Sequence, residues 1–162
     1  MLFRSYDLRR MTLETGILPT TAGSARVRIG NEADLVVGVT AEIGEPLGKA
    51  GNEGVMEFSV ECSRLALLDQ ERRAAQELNA ELSVMLGRLY GGSGCREVKK
   101  SLCLIEGRKV WVLKVDCVVL AGGGNVFDAL SVGVRAALRT CILPAVEVIK
   151  GEADEEDEVE IN

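Results

Sequence analysis

The chain has 162 residues, one domain's worth, with 47% apolar and 27% charged residues and no histidine. The missing histidine excludes Ser-His-Asp and Cys-His nucleophile pairs, histidine-ligated zinc and a histidine-based pH switch. The net charge of −6 resides in residues 152–160, EADEEDEVE, whose seven acids leave 18 acidic against 19 basic groups over residues 1–151.

The first signals along the chain are those of strands. Met11 to Ile17 alternates roughly and ends at a turn marked by Pro19 and Gly23. Ser24 to Ile29 alternates arginine with apolar residues and stops at Gly30-Asn31. Leu35, Val37, Val39, Ala41 and Ile43 follow at strict period two. After a glycine-rich loop, Met56, Phe58, Val60 and Cys62 alternate against Glu57, Ser59 and Glu61. Period-two alternation broken by Gly, Pro and Asn predicts an antiparallel meander over these four segments, with one face buried.

The period then changes. Leu78, Leu82, Met85, Leu86 and Leu89 form one stripe of an amphipathic helix, with Asp69 as its N-cap and Gly91-Gly92 as its stop. Ser101–Ile105 and Val110–Ala121 read as a hairpin around Glu106-Gly107-Arg108. Val126, Leu130, Val134 and Leu138 mark a second helix, and Ala145–Ile149 a last strand after Pro144. The acidic run beyond it predicts a solvated, disordered tail over residues 152–162, attached to a nearly neutral domain over residues 1–151. The predicted class is α+β, a mixed sheet with helices on one face. No segment approaches the ~20 apolar residues of a membrane span, so a soluble, unsecreted protein with no membrane partner is expected.

Four features bear on chemistry. Gly122-Gly123-Gly124-Asn125 lies between an apolar strand and a helix. It reads either as a phosphate cradle, with glycines at positive φ and free N–H groups at the helix start, or as a tight turn with Asn125 as N-cap. Basic residues come in pairs, Arg9-Arg10, Arg72-Arg73, Lys99-Lys100 and Arg108-Lys109, and these are the candidates for phosphate contact. Glu57 and Glu61 share the polar side of one strand, with no further ligand at metal-binding spacing. Five scattered cysteines, Cys62, Cys95, Cys103, Cys117 and Cys141, never form C-x-x-C. They predict neither a disulfide framework nor a zinc site, and point to a reducing intracellular compartment. These residues compose no catalytic set.

A family resemblance adds to this. Glu14-Thr-Gly-Ile-Leu-Pro-Thr-Thr-Ala-Gly-Ser-Ala-Arg-Val-Arg-Ile-Gly-Asn, then Leu35-Val-Val-Gly-Val-Thr-Ala-Glu-Ile-Gly, resembles the opening of a ribonuclease-PH-type domain. Asn52 to Ser63, the helix ending Leu86-Gly-Arg-Leu-Tyr, and Gly123-Gly-Asn-Val-Phe-Asp-Ala-Leu extend the resemblance in register over about residues 4–150. Within the family, Gly-Gly-Asn-x-Phe-Asp-Ala is similar to the non-catalytic ring subunits of the RNA exosome, in the branch called exosome component 7 in animals. The resemblance implies the ribosomal protein S5 domain 2-like fold, here as its first part only. The active acidic residues would belong to a second half.

Where ribonuclease PH reads Ala-Asp-Gly-Gly-Thr-Arg, this chain has Ala121-Gly-Gly-Gly-Asn-Val126, and where the family's helix ends Arg-x-x-Arg it has Arg88 and Gly91. Valine cannot supply the forked, charge-assisted contact that arginine makes to phosphate. The resemblance therefore implies a scaffold, with no catalytic residue, no metal and no cofactor. Its RNA-contacting residues would be Arg88 first, then Arg72 and Arg73, with Gly123, Gly124 and Asn125 a vestigial phosphate site. Its partners would be other ribonuclease-PH-like ring subunits, RNA-binding cap subunits and single-stranded RNA, in nucleus, nucleolus and cytoplasm. The alternative is a phosphorolytic 3′–5′ exoribonuclease that completes its site with a partner subunit. A free-standing anion-binding protein is a third reading, opposed by the unpaired sheet edge and apolar patch that a partial fold should expose.

Overall fold

The computed structural model describes residues 9–46, 51–63, 72–149 and 158–161. Among the described residues there are eight strands, β1 (Met11–Thr15), β2 (Gly23–Ile29), β3 (Ala33–Gly44), β4 (Val55–Cys62), β5 (Cys103–Ile105), β6 (Lys109–Gly122), β7 (Val146–Ile149) and β8 (Glu158–Ile161). The α-helices among the described residues are α1 (Arg72–Gly91), α2 (Arg96–Ser101) and α3 (Val126–Arg139). The main sheet runs β1-β2-β3-β6-β4, with β5 pairing the start of β6.

Strands β1, β2 and β3 form the predicted antiparallel meander. β4 does not continue it. The long strand β6 pairs antiparallel with β3 and parallel with β4, so β6 separates the two. A parallel pair needs a crossover of a dozen residues or more, and the stretch between β4 and β6, which carries α1, provides it. The sheet is mixed for that reason, and the α+β expectation stands.

One face of the sheet is apolar. Ala25 and Val27 from β2, Leu35, Val37 and Val39 from β3, and Val115, Cys117 and Val119 from β6 are buried against Leu82 and Leu86 of α1 and Leu130, Val134 and Ala137 of α3. Both helices thus lie on the same side. The opposite face carries the alternate, polar residues, among them the forked Arg26–Asp34 pair (2.9 and 2.7 Å) and Lys114 on Glu42 at 2.6 Å. Glu57 and Glu61 are exposed on this face, as their spacing implies.

The expected helical stripe is narrower than its period suggests. Leu82 and Leu86 are buried, whereas Met85 and Leu89 are 41% and 51% exposed, because α1 packs along β4 and overhangs the sheet. The N-cap assigned to Asp69 lies outside the described residues. The expected hairpin is present, its first arm shortened to Cys103–Ile105, which pairs antiparallel with the start of β6. Residues 96–101 form α2, preceded by a short 3-10 turn at Ser93–Cys95, and only Cys103–Ile105 is strand.

The tail expectation also meets a correction. Residues 158–161 are β8, antiparallel to β7 with Val148 opposite Val159 and Val146 opposite Ile161. Alternation of Val159 and Ile161 with glutamates supplies the strand period that the charge count hides. Among the described residues β1 pairs only with β2, and its Met11 and Leu13 extend the apolar face beyond α3 and are 51% and 46% exposed. No described helix is long and apolar enough to cross a membrane.

Candidate functional site

The glycine turn is built by the β3–β6 register. Ala33 opposite Gly122 brings the β2–β3 turn beside the start of α3. The Gly123 N–H donates to the Glu32 backbone oxygen at 2.7 Å. Asn125 caps α3, its Oδ1 accepting from the Asp128 N–H at 3.2 Å while its Nδ2 donates to the Asp128 carboxylate. Among the described residues the positive-φ glycines are Gly16, Gly30 and Gly107, so the turn does not use that freedom. It uses the missing side chain instead. A Cβ at Gly124 would lie 3.2 Å from Arg9 Nη1 and 3.3 Å from Glu32 Oε2.

Gly123, Gly124 and Asn125 therefore do come together, as a tight turn with an N-cap, with the Gly123 N–H and, at the helix start, the Asp128 N–H already engaged. The turn opens on a pocket of about 260 Å³ lined by Arg9, Met11, Ile29, Ala33, Gly124, Asn125 and Asp128. Among the described residues its one lining cation, Arg9, is ion-paired to Glu32 at 2.5 Å. The Asp128 carboxylate faces the same space. Two carboxylates against one arginine oppose an oxyanion there. Substituting Asn125→Ala removes the cap and is expected to cost about 1 kcal/mol, read as a small drop in melting temperature.

The candidate arginines do not form one cluster. Arg88 is exposed in the last turn of α1 and makes no hydrogen bond or ion pair with the described residues. Its charge complements the negative end of the helix dipole. Among the described residues Arg73 makes only an exposed pair with Glu77 at 3.8 Å, worth little in stability. Arg72 opens the same helix, sixteen residues before Arg88, which is about 24 Å along the axis.

A second cationic group gathers where α1 ends, and only its Lys99 was visible as part of a basic pair. Arg96 Nε and Lys99 Nζ both reach Glu53, at 3.0 and 3.3 Å. Hydrogen bonds from Arg96 and then Lys99 hold the Glu53 carboxyl below the usual carboxylate range. A hollow of about 180 Å³ is lined by Glu53, Gly91, Gly92, Arg96 and Lys99. The Arg96/Lys99 spacing of three was the available signal, but the sequence pattern predicts no element over residues 96–100.

A larger groove of about 630 Å³ lies between the end of α1 and α3, lined by Leu89, Tyr90, Gly94, Cys95, Ser131, Val132 and Arg135. The Tyr90 hydroxyl donates to the Ser131 carbonyl at 3.0 Å, and its ring stacks on Phe58 with centroids 5.4 Å apart. The five cysteines are free. Burial pushes the Cys117 thiol up to about 12 and raises Cys62, Cys103 and Cys141, so none of these four is an activated nucleophile. Among the described residues, no three His, Cys, Asp or Glu side chains are placed to hold a metal ion.

Comparison with known proteins bears on residues 7–144, which match the model of the 3′ exoribonuclease family (RNase PH), domain 1. The chain is 36% identical over 147 residues to the exosome complex component Rrp42 of Methanothermobacter thermautotrophicus, covering 91% of this chain and 54% of that protein. It is 37% identical over 142 residues to Rrp42 of Methanocella arvoryzae, covering 87% of this chain and 54% of the relative. Among solved structures, the Archaeoglobus fulgidus exosome with RNA bound to the active site superposes with a TM-score of 0.76 at 26% identity, over 95% of this chain and 66% of that one. The chain spans about half the length of these curated relatives.

Proposed function

The chain belongs to the 3′ exoribonuclease (RNase PH) family, of which it carries domain 1, and we propose that it serves as a non-catalytic subunit of an RNA exosome ring. In this reading it pairs with other ribonuclease-PH-like subunits, sits beneath RNA-binding cap subunits and lines the route of single-stranded RNA toward 3′–5′ degradation and processing. Its similarity to Rrp42 proteins, and to a subunit of an exosome core, supports the assembly role. The carrying observation for the absence of chemistry is the glycine turn. Phosphorolysis requires a dense positive field around inorganic phosphate and the scissile phosphodiester. Here Val126 and Gly91 stand where the family pattern has arginines, and the turn's pocket holds Asp128 and a Glu32-neutralised Arg9.

Arg88 keeps the family's arginine position and is free to meet a phosphate, a contact that positions RNA without reading its sequence. Arg72 and Arg73 are secondary candidates at the far end of the helix. The test combines this chain with ring partners whose own active sites are disabled, uniformly labelled single-stranded RNA and inorganic phosphate. Expected is no release of nucleoside diphosphates. Release that depends on this chain overturns the scaffold reading in favour of a shared phosphorolytic site.

A further inference from the structure

We propose that Arg96, together with Arg88, forms a phosphate-binding step for the backbone of single-stranded RNA at the α1–α2 junction, positioned by Lys99 and Glu53. This rests on the RNA-path reading above and extends it to residues outside the family's arginine positions.

Arg88 and Gly91 are three residues apart on α1, hence neighbours on one helix face, about 5–6 Å between β-carbon positions. Gly91 borders the hollow that Arg96 and Lys99 line. A Cβ built at Gly91 meets nothing within 4 Å, so the space beside it is open. At about 180 Å³ the hollow holds the volume of roughly six waters. A cation absent from position 91 of the helix is thus supplied from across the hollow by α2.

Charge accounting decides whether this is more than an internal clamp. Glu53 takes hydrogen bonds or ion pairs from two cations, one more than it can neutralise. Arg88 adds another positive charge without a described partner. The orphan carbonyls at the end of α1 offset about half a charge. The junction is left with a clear positive surplus. It also has a division of labour: Lys99 is only 19% exposed and its backbone oxygen accepts from the Gly54 N–H at 2.7 Å, which ties α2 to the β4 approach. Arg96, at 65% exposed, keeps most of its fork in solvent. A guanidinium held at Nε by a carboxylate retains outward N–H donors for a phosphate oxygen.

The experiment measures binding of a fluorescein-labelled single-stranded RNA to the full chain across a salt series from about 50 mM. Arg96→Gln and Arg88→Gln are each expected to weaken binding about three- to tenfold at low salt, and to lower the salt slope by about one. Glu53→Gln is expected to tighten binding, since it releases both cations, whatever it does to the melting temperature. A purely structural clamp predicts the opposite for that variant: lower stability with no gain in RNA affinity. Inorganic phosphate at matched ionic strength is expected to leave the RNA bound; displacement assigns the hollow to free phosphate and overturns the RNA assignment. The proposal also falls if Arg96→Gln keeps the wild-type melt, affinity and slope, or if the wild-type chain binds no RNA at 50 mM salt. Loss of binding through Arg88 alone sinks this inference and leaves the scaffold reading standing. Phosphorolysis by the assembled ring sinks the scaffold reading and leaves the Arg96 result untouched.

Discussion

Substituting Gly23→Ala is expected to destroy the cooperative melt of the chain, or to lower its midpoint by more than about 10 °C. Gly23 opens β2 on the apolar face, under the C-terminal turn of α3. A Cβ there would lie 2.4 Å from the Ala137 carbonyl oxygen, 2.8 Å from Cys141 Cα and 2.9 Å from Cys141 N. All three are backbone atoms, so no rotamer change relieves the contact. The neighbouring chain cannot yield easily either, because the Ile142 N–H donates to the Ala22 carbonyl at 2.9 Å and pins the two segments together. The added methyl must therefore lift the end of α3 away from β2, parting Ala137 and Val134 from the sheet they bury against. Overpacking commonly costs 1–3 kcal/mol, and a rigid backbone neighbour places this site at or above that range. Gly87→Ala is the matched control. Gly87 lies within α1 with nothing within 4 Å of a built Cβ, so alanine there should be neutral or stabilising by up to about 1 kcal/mol. If Gly23→Ala melts like the wild type, α3 does not sit on β2 as described.

Much of the secondary structure was legible because one sheet face is buried and the other is not. Leu35, Val37 and Val39 against Asp34, Val36 and Thr40 write that difference directly into period two. Which strand pairs with which was not legible. β4 has the same alternation as β3, and nothing local to it says that its partner is β6, some fifty residues later. α2 escaped because its six residues bury none of their side chains, which leaves no apolar period to detect. β8 escaped for a related reason, its two apolar residues being outvoted by the acids around them. The candidate site divides in the same way. The tight turn and the Asn125 cap follow from local chemistry. Glu32 and Arg9, which give that turn its electrostatic character, arrive from about ninety residues or more earlier in the chain through sheet pairing. Glu53 meets Arg96 and Lys99 across more than forty residues. Residue spacing reports what one element presents, and the charge at a site is set by what several elements bring.

The same limit hides how the sheet's far edge is closed, and the double substitution Asn79→Ala/Ser83→Ala tests it. Among the described strands β4 pairs only with β6, so alternate N–H groups on its other side need acceptors. Helix α1 supplies two. Ser83 Oγ accepts from the Val60 N–H at 3.0 Å, and Asn79 Oδ1 accepts from the Cys62 N–H at 3.1 Å. Four residues of helix rise about 6.0 Å and two residues of strand about 6.6 Å, so an i, i+4 polar pair matches every second N–H of an adjacent strand. The pairing runs antiparallel, as a crossover helix returning along its own strand requires. Ser83 also donates to the Asn79 carbonyl at 2.8 Å, which fixes its hydroxyl as an acceptor toward β4. Each lost acceptor strands a part-buried N–H, at about 1–3 kcal/mol apiece. The double variant should therefore lose about 2–6 kcal/mol, with coupling between the two sites in a double-mutant cycle, since both side chains close the same strand edge. It should also aggregate more readily, because uncapping β4 presents a free strand edge. A melting midpoint within about 2 °C of the wild type, with no added aggregation, would mean that water satisfies those N–H groups and that α1 holds β4 through Leu82 and Leu86 alone.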